Sequence, residues 1–562
     1  MPPPNRDALL NATLGGVVGV IAFASSLGFP LVDPSHTNWL TTGDWRVHFL
    51  GWHTYRATPW QMPPGANPYF GHPVGTSVAL TDSIPIFALL FKLLDPWLPT
   101  RFQYIGLWLL VSHVLQGVFG ALLVRCVTPH RSLQILGAAL LVMAPVLLHR
   151  TGHPALTAHW LLLAALWLHF RSADAQAALS LGAFVRWTVV ISLVAATHPY
   201  LGFMVLSLFT AHMAAVALRS EVRQYPRIAG VLLTSAMGYA VVSWLCGYFV
   251  VRSAGDLVGE SFGEFSMNVL SPVAPLDYST VLGPLVFPSV VQTVEGYSYL
   301  GIGLIALAVP AAVGWARTRR DRHERSQLPV WPLFVVMLAL TAMALGPVVH
   351  AGNAVAFRYP EELWGPLRLF RANGRMFWPA LYGLSFAIIA GICRLHSRLA
   401  QPLLVIAVVA QAIDVSRAYI GAQGLRRTTW QTPLADDFWR VATPAYRHLV
   451  AIPPNICSPQ GIDFHPVALL AGDHGVSVNA AMAARYDGEK LRQYCDELPG
   501  LAKGGIRADT LYVLQPASAA RFMQEAADPL ICARVDGHVA CVREDTANEW
   551  RGAVSVPLER VP

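Results

Sequence analysis

The chain has 562 residues, of which 54% are hydrophobic and only 13% charged. Soluble chains carry about 25% charge, so a string of water-soluble domains is excluded for most of its length. Its net charge of +7 is no nucleic-acid signature: from Gln431 onward 16 acidic residues face 12 basic ones, leaving 17 acidic and 28 basic before it, so the excess lies in the apolar part, where it marks cytoplasmic loops.

Apolar runs near the ~20 residues needed to cross a bilayer begin with Asn11–Val32, which lacks a signal-peptidase site and reads as an uncleaved anchor. In the loop that follows, residues 33–103, Trp45, Trp52, Tyr55 and Trp60 suit a helix lying in the headgroup zone. Ser83–Leu94 (SIPIFALLFKLL) is apolar but short and carries Lys92, so it reads as a re-entrant or interfacial helix. Further runs are Tyr104–Val124, Ser132–Leu148, Pro154–Phe170, Leu179–Thr197, Leu201–Leu218 and Ile228–Val250. After a long loop come Leu300–Trp315, Val330–His350, Met376–Cys393 and Pro402–Ile420, making about eleven spans.

Basic clusters at Arg125/Arg131, Arg171, Arg219/Arg223/Arg227, Arg317/Arg319/Arg320/Arg322/Arg325 and Arg394/Arg398 fall between alternate pairs of spans. The positive-inside rule puts them in the cytoplasm with the N-terminus, and an odd span count puts the C-terminus outside. The expected architecture is therefore a mainly α, polytopic membrane domain over residues 1–429 of a bacterial inner-membrane protein, followed by a small extracytoplasmic (periplasmic) α/β domain over 430–562. In that tail Val467–Leu470 and Thr510–Leu514 read as short β-like runs and Glu489–Glu497 as a helix. The run ICARVDGHVAC places an Asp536-Gly537 turn between two short strands, a hairpin signal. Cys532 and Cys541 flank that turn. With Cys457 and Cys495 they suit two disulfides in an oxidising compartment; without CxxC spacing a zinc site is the weaker reading.

The unusual polar residues fall on the extracytoplasmic side of this topology: Asp44, His48, His53, Arg56 and Asp82 in the first loop, His149, Arg150 and His153 in the HRTGHP turn, and His159 just after it. His198 lies in an HPY turn. The loop Arg252–Tyr299 carries Asp256, Glu260, Glu264, Asp277 and Glu295, and the last large loop Arg358, Glu361, Glu362, Arg368, Arg371 and Arg375. Polar groups beside apolar helices are candidates for function. Each also has a plainer reading. Asp44 and Asp82 could cap the helices that follow them, His153 and His159 could hydrogen-bond between helices, and the arginines could snorkel. Arg371 and Arg375, four apart, read as sharing a helix face, an arrangement suited to bidentate contact with a phosphate or pyrophosphate.

The stretches GDWRVHFLGWHTYRATPWQMPPGANPYFG, GTSVALTDSIPIFALLFK, HRTGHPALTAHWLLLAALWL, EGYSYLG and RYPEELWGPLRLFRANGRMFWP resemble a bacterial family of multi-pass proteins grouped with the GT-C membrane glycosyltransferases. The resemblance covers nearly the whole chain. It implies transfer of a sugar from a polyprenyl-phosphate or polyprenyl-pyrophosphate carrier to a lipid, glycan or protein outside the cytoplasm. GT-C enzymes carry their catalytic acid in the first extracytoplasmic loop, the place of Asp44. Asp82 is the second acidic candidate. The residues set against substrate are His48, His153, His159, His198, Glu295, Arg358, Arg371 and Arg375. Many GT-C members have two neighbouring acidic residues there and some bind a divalent metal. Here Trp45 follows Asp44, so no acidic pair indicates a metal. Two other classes stay open: a lipid or glycan transporter or flippase, which would place polar residues at mid-membrane, and a non-catalytic assembly factor for an envelope polysaccharide.

A reporter active only after export, fused after Pro562, is expected to be active. Activity of a cytoplasm-only reporter at the same position would invert the topology.

Overall fold

Seven helices among the described residues are long and apolar enough to cross a membrane, and they mark the chain as a multi-pass membrane protein: Arg6–Ser26, Ile105–Arg125, Arg131–Gly152, Pro199–Ala217, Val222–Leu245, Asn373–Cys393 and Ser397–Asp414. Four shorter apolar helices, Pro154–Phe170, Leu181–Ala195, Ile302–Arg317 and Trp331–Leu345, occupy the remaining positions at which the sequence places spans. The computed structural model describes residues 6–172, 174–251, 262–283, 293–318, 328–550 and 556–561. Asp256, Glu260, Arg319, Arg320, Arg322 and Arg325 lie outside the described residues.

The chain divides into two units built from interleaved stretches. The first comprises Met1–Asp33, Ile105–Val242 and Val258–Arg427, and the second Pro34–Tyr104, Ser243–Leu257 and Thr428–Pro562.

In the first unit, helices meet through small residues because lipid offers no hydrophobic drive to bring them together. Gly15 and Gly19 set Arg6–Ser26 against the backbone of Gly117 and His113 on Ile105–Arg125, so closely that a methyl group on any of these glycines would collide with a facing carbonyl. Gly314 meets the Gly391 carbonyl in the same way. Asp414, fully buried at the end of Ser397–Asp414, accepts hydrogen bonds from the Ser279 hydroxyl, from Tyr299 Oη (3.0 Å) and from the Ile302 backbone N–H (3.1 Å). It thus closes the start of the Ile302–Thr318 helix, whose first N–H groups have no partner within the helix.

The second unit centres on a six-stranded mixed sheet, in the order Leu558–Val561, Leu530–Val535, His538–Arg543, Thr510–Leu514, His448–Ile452, Ser477–Val478. The last three strands run parallel, and the helix Phe464–His474 crosses over between His448–Ile452 and Ser477–Val478. The outer edge of Ser477–Val478 is covered by the first-loop stretch around Phe70. There Gly71 and His72 both donate to the Val478 carbonyl at 2.9 Å, and Val478 donates to Tyr69 at 2.8 Å. An otherwise open sheet edge is thereby closed.

Thr510–Leu514 is a strand, Gly488–Glu497 a helix, and the hairpin turns at Asp536 and Gly537, both at positive φ (47° and 76°) as a tight two-residue turn requires. Cys532 and Cys541 are register partners across that hairpin and are disulfide-bonded, as are Cys457 and Cys495.

Two expectations are corrected. Val467–Leu470 lies inside the helix Phe464–His474, capped by Asp463, whose carboxylate accepts the His465 N–H, and stopped by Gly475 at φ 69°. A four-residue apolar run does not tell strand from buried helix, and here the capping residues decide. The helix Trp45–Arg56 forms, but Trp52 and Tyr55 are fully buried inside the unit rather than turned to a headgroup layer. Lys92, on the nine-residue helix Pro85–Leu93, is also buried. Its Nζ donates to the carbonyls of Tyr55 (2.8 Å) and Thr58 (2.9 Å) and to Thr58 Oγ1 (2.6 Å), satisfying acceptors at the C-terminal end of Trp45–Arg56. Burial pushes its amino group down to about 8. Nine residues span only ~13 Å as a helix, well short of a crossing.

Gly19→Leu is expected to lower stability by about 1–3 kcal/mol through overpacking, read as a lower unfolding temperature in detergent. Gly230→Leu, on a helix position with no atom near its added Cβ, should leave that temperature unchanged.

Candidate functional site

The first unit gathers three distant segments around one carboxylate. Glu295, in the short helix Thr293–Gly296, accepts Arg150 Nη1 at 2.6 Å on Oε2. Arg375 Nε and Nη2 reach the same oxygen at 2.9 and 2.7 Å. His153 Nε2 stands 3.7 Å from Oε1, and Arg150 Nη2 donates to the Glu295 backbone carbonyl at 3.1 Å. The side chains of Arg150, Arg375 and Glu295 are 2%, 10% and 16% exposed, so this charge cluster sits largely out of water.

Local structure explains each placement. Arg150 and His153 bracket a single 3-10 turn, Arg150–Gly152, at the end of an apolar helix. Arg375 lies in the 3-10 helix Asn373–Phe377, which leads into Trp378–Cys393. The Arg150 guanidinium lies over the Trp378 ring at 5.7 Å and Arg375 over Tyr200 at 5.1 Å. Tyr200 is set by the turn before it: His198 caps the helix Pro199–Ala217, its Nδ1 accepting the Tyr200 N–H at 3.2 Å, and Tyr200 Oη accepts the Ala372 N–H at 2.9 Å. His159 lies tilted against Trp378 (4.3 Å between ring centres) and its Nδ1 lies 2.8 Å from Tyr382 Oη. Burial alone would raise the Glu295 carboxyl, but Arg375, His153 and Arg150 outweigh it and hold the group far below the usual carboxylate range. Among the described residues, two guanidinium groups share this one carboxylate in a protected place. That arrangement fits an anion.

His153, His159, His198, Glu295 and Arg375 are therefore brought together. Arg358 and Arg371 are not part of the cluster: both are exposed, and Arg371 lies over the Phe265 ring at 5.5 Å. The shared helix face expected for Arg371 and Arg375 does not form, because Arg371 sits in the turn before a 3-10 helix. Sequence reasoning placed Arg150 in the HRTGHP turn without setting it against substrate, and its partner lies 145 residues away.

In the second unit Asp44 is exposed at the N-cap position of Trp45–Arg56, and its side chain makes no capping hydrogen bond. His48, one turn on, is buried, its Nδ1 3.0 Å from the Thr81 carbonyl, while Ser83 Oγ donates to the His48 carbonyl at 2.8 Å. These bonds pin the TDSIP stretch to the helix. Asp82 lies within it at φ 50° and is not the cap of the next helix, whose N-cap is Ile84. Asp473 ties the first-loop stretch to the tail: His53 Nε2 stands 3.0 Å from Oδ1, and Arg101 makes a two-pronged contact at 3.0 and 2.6 Å. Burial would raise the Asp473 carboxyl, but these hydrogen bonds bring it down to about 2. Among the described residues no group of three His, Cys, Asp or Glu side chains is placed to hold a metal ion.

Residues 16–416 match the family described as a domain of unknown function, DUF6311, and residues 438–543 match its C-terminal domain. The chain belongs to the DUF6311 family. No curated protein matches it. Among solved structures this DUF6311 chain is similar to the Archaeoglobus fulgidus oligosaccharyltransferase tethered with an acceptor peptide containing the NVT sequon, at 10% identity and a TM-score of 0.47, over 98% of this chain and 75% of that one. It is also similar to the Archaeoglobus fulgidus oligosaccharyltransferase AglB in complex with an inhibitory peptide and a dolichol-phosphate, at 11% identity and a TM-score of 0.43, with the same coverage.

Glu295→Gln is expected to destabilise the first unit by about 3–5 kcal/mol, the cost of leaving buried guanidinium groups without their counter-charge. Because the folded carboxyl is depressed, its contribution is present above the unfolded-state value and is lost only as pH falls through the lower folded value. The wild-type chain should therefore keep this stability in mild acid. A thermal-unfolding series across pH, wild type against Glu295→Gln, measures both.

Proposed function

We propose that the chain is a GT-C-like membrane glycosyltransferase that moves a sugar from a polyprenyl-(pyro)phosphate carrier to an envelope glycan, lipid or protein acceptor. The observation that carries this reading is the protected Arg150–Glu295–Arg375 cluster, in which two guanidinium groups converge on one point. A carrier phosphate is a counter-charge of the right sign, and planar guanidinium groups match its oxygens. The motif resemblance in the first loop and around HRTGHP supports the same class.

In the proposed reaction the acceptor hydroxyl attacks the anomeric carbon of the sugar. The new carbon–oxygen bond forms as the bond to the carrier phosphate breaks, and the phosphate leaves with the bonding electron pair. Asp44 takes the proton from the attacking hydroxyl. Arg375 and Arg150 offset negative charge as it grows on the departing phosphate, with Arg371 and Arg358 as outer cations for the carrier. His153, His159 and His198 hold the shape of the phosphate subsite, while His48 and Asp82 belong to the support of the Asp44 helix. This reading puts the C-terminal domain and its disulfides outside the cytoplasm, in an oxidising compartment.

Asp44→Asn is expected to lower transfer by about 10²–10⁴-fold, the usual contribution of a general base, with the chain still folded, because Asp44 is exposed and its side chain makes no capping hydrogen bond. The measurement is envelope-glycan output in cells carrying only the variant, beside its abundance in membranes. Wild-type output from Asp44→Asn would remove Asp44 from the chemistry.

A further inference from the structure

Arg131 and Arg150 stand near opposite ends of one apolar segment, Arg131–Gly152. Their separation along a helix is about 29 Å, the thickness of a bilayer's hydrocarbon core. Arg150 belongs to the cluster described above. Arg131 opens onto something else.

A cavity of about 540 Å³ lies at that end, lined by Asp7, Asn11, Arg125, Cys126, Thr128 and Arg131 among others. Arg131 is held in place from one side: its Nε donates to Asn11 Oδ1 at 3.1 Å and its Nη2 to Asp7 at 3.2 Å. Asn11 is buried, so this anchor is fixed within the helix packing. The Arg125 side chain makes no hydrogen bond or ion pair among the described residues, and its guanidinium lines the same cavity as that of Arg131. The cavity has the size of a small-molecule site. Basic pockets between membrane helices take anionic headgroups, and guanidinium groups bind phosphate oxygens in pairs.

The neighbouring surface points to an amphiphile. Leu10, Val17 and Ile21 on Arg6–Ser26 are exposed and recur at a spacing that puts them on one face of the helix. Leu10 neighbours the cavity-lining Asn11 in the chain, so this apolar track starts beside the cavity and runs along the helix. We propose that the cavity seats the phosphodiester of an anionic glycerophospholipid, with Arg125 and Arg131 on its oxygens and an acyl chain along the Leu10–Val17–Ile21 track. This site is independent of the sugar-transfer reading and would hold for a transporter as well.

The test uses the full chain, reconstituted in vesicles of phosphatidylcholine alone or doped with phosphatidylglycerol, then extracted into detergent. Native mass spectrometry then counts the phosphatidylglycerol retained. Arg125→Gln is the informative variant, because Arg131→Gln would also release Asp7 and Asn11. Arg125→Gln should weaken retention about tenfold, the loss of one charge-assisted contact. Arg223→Gln, on another basic loop where Arg223 pairs with Glu221, should retain lipid as the wild type does. Equal retention by Arg125→Gln and wild type, or an equal loss in Arg223→Gln, would overturn the assignment. Inorganic phosphate and glycerol 3-phosphate form the soluble arm. Failure of either to displace the retained lipid supports a lipid ligand, and stoichiometric displacement would assign the cavity to a free phosphate instead.

Discussion

One carboxylate organises the first unit. Glu295 meets two guanidinium groups that are nearly out of water, one at the end of an apolar helix and the other in the 3-10 turn that starts another. Charges in such a place persist only when paired and hydrogen-bonded. The ends of the helices Arg131–Gly152 and Asn373–Cys393 are therefore held to the loop that carries Glu295. The aromatic rings of Trp378 and Tyr200 under the two guanidinium groups add cation–π contact and exclude solvent. An anion entering there would meet guanidinium groups already fixed in direction, which is what electrostatic preorganisation means in physical terms.

Much of the fold was legible in the sequence wherever the signal is local. The Asp536-Gly537 turn, the strand at Thr510–Leu514 and the cysteines flanking the hairpin all rest on neighbouring residues, and the structure has them so. Legibility fails where a local pattern has two meanings or where the partner is remote. Val467–Leu470 is apolar enough for a strand, and only Asp463 and Gly475 beyond its ends make it a helix. Spacing by four puts Arg371 and Arg375 together only if the backbone is α-helical, and a turn followed by a 3-10 helix separates them. The burial of Lys92 was not legible because sequence does not reveal the carbonyls of Tyr55 and Thr58 that accept its amino group.

The candidate site was legible in part for the same reasons. Histidines beside apolar helices were conspicuous, and His153, His159 and His198 do converge with Glu295 and Arg375. Their convergence depends on pairings across some 80 to 145 residues, which no local rule supplies. Arg150 shows the limit plainly. In the sequence it is one residue of a turn, and in the structure it is the most deeply buried cation of the cluster.

The covered sheet edge in the second unit bears on how the chain is made. Tyr69, Gly71 and His72 are synthesised early, yet their hydrogen-bond partner is Val478, which emerges some 400 residues later. In the interval the ribosome delivers the candidate membrane helices that follow Arg6–Ser26. The first-loop stretch must therefore wait without its strand partner, its backbone donors and acceptors unmet by protein, while the helices of the other unit assemble. Chains with such long-range closures fold slowly because loop entropy is spent before the contact rewards it. Premature termination anywhere before Val478 would leave a set of helices with an orphaned sheet edge, the kind of exposed backbone that quality-control proteases and chaperones recognise. Completion of the last quarter of the protein thus acts as a proofreading step on its first.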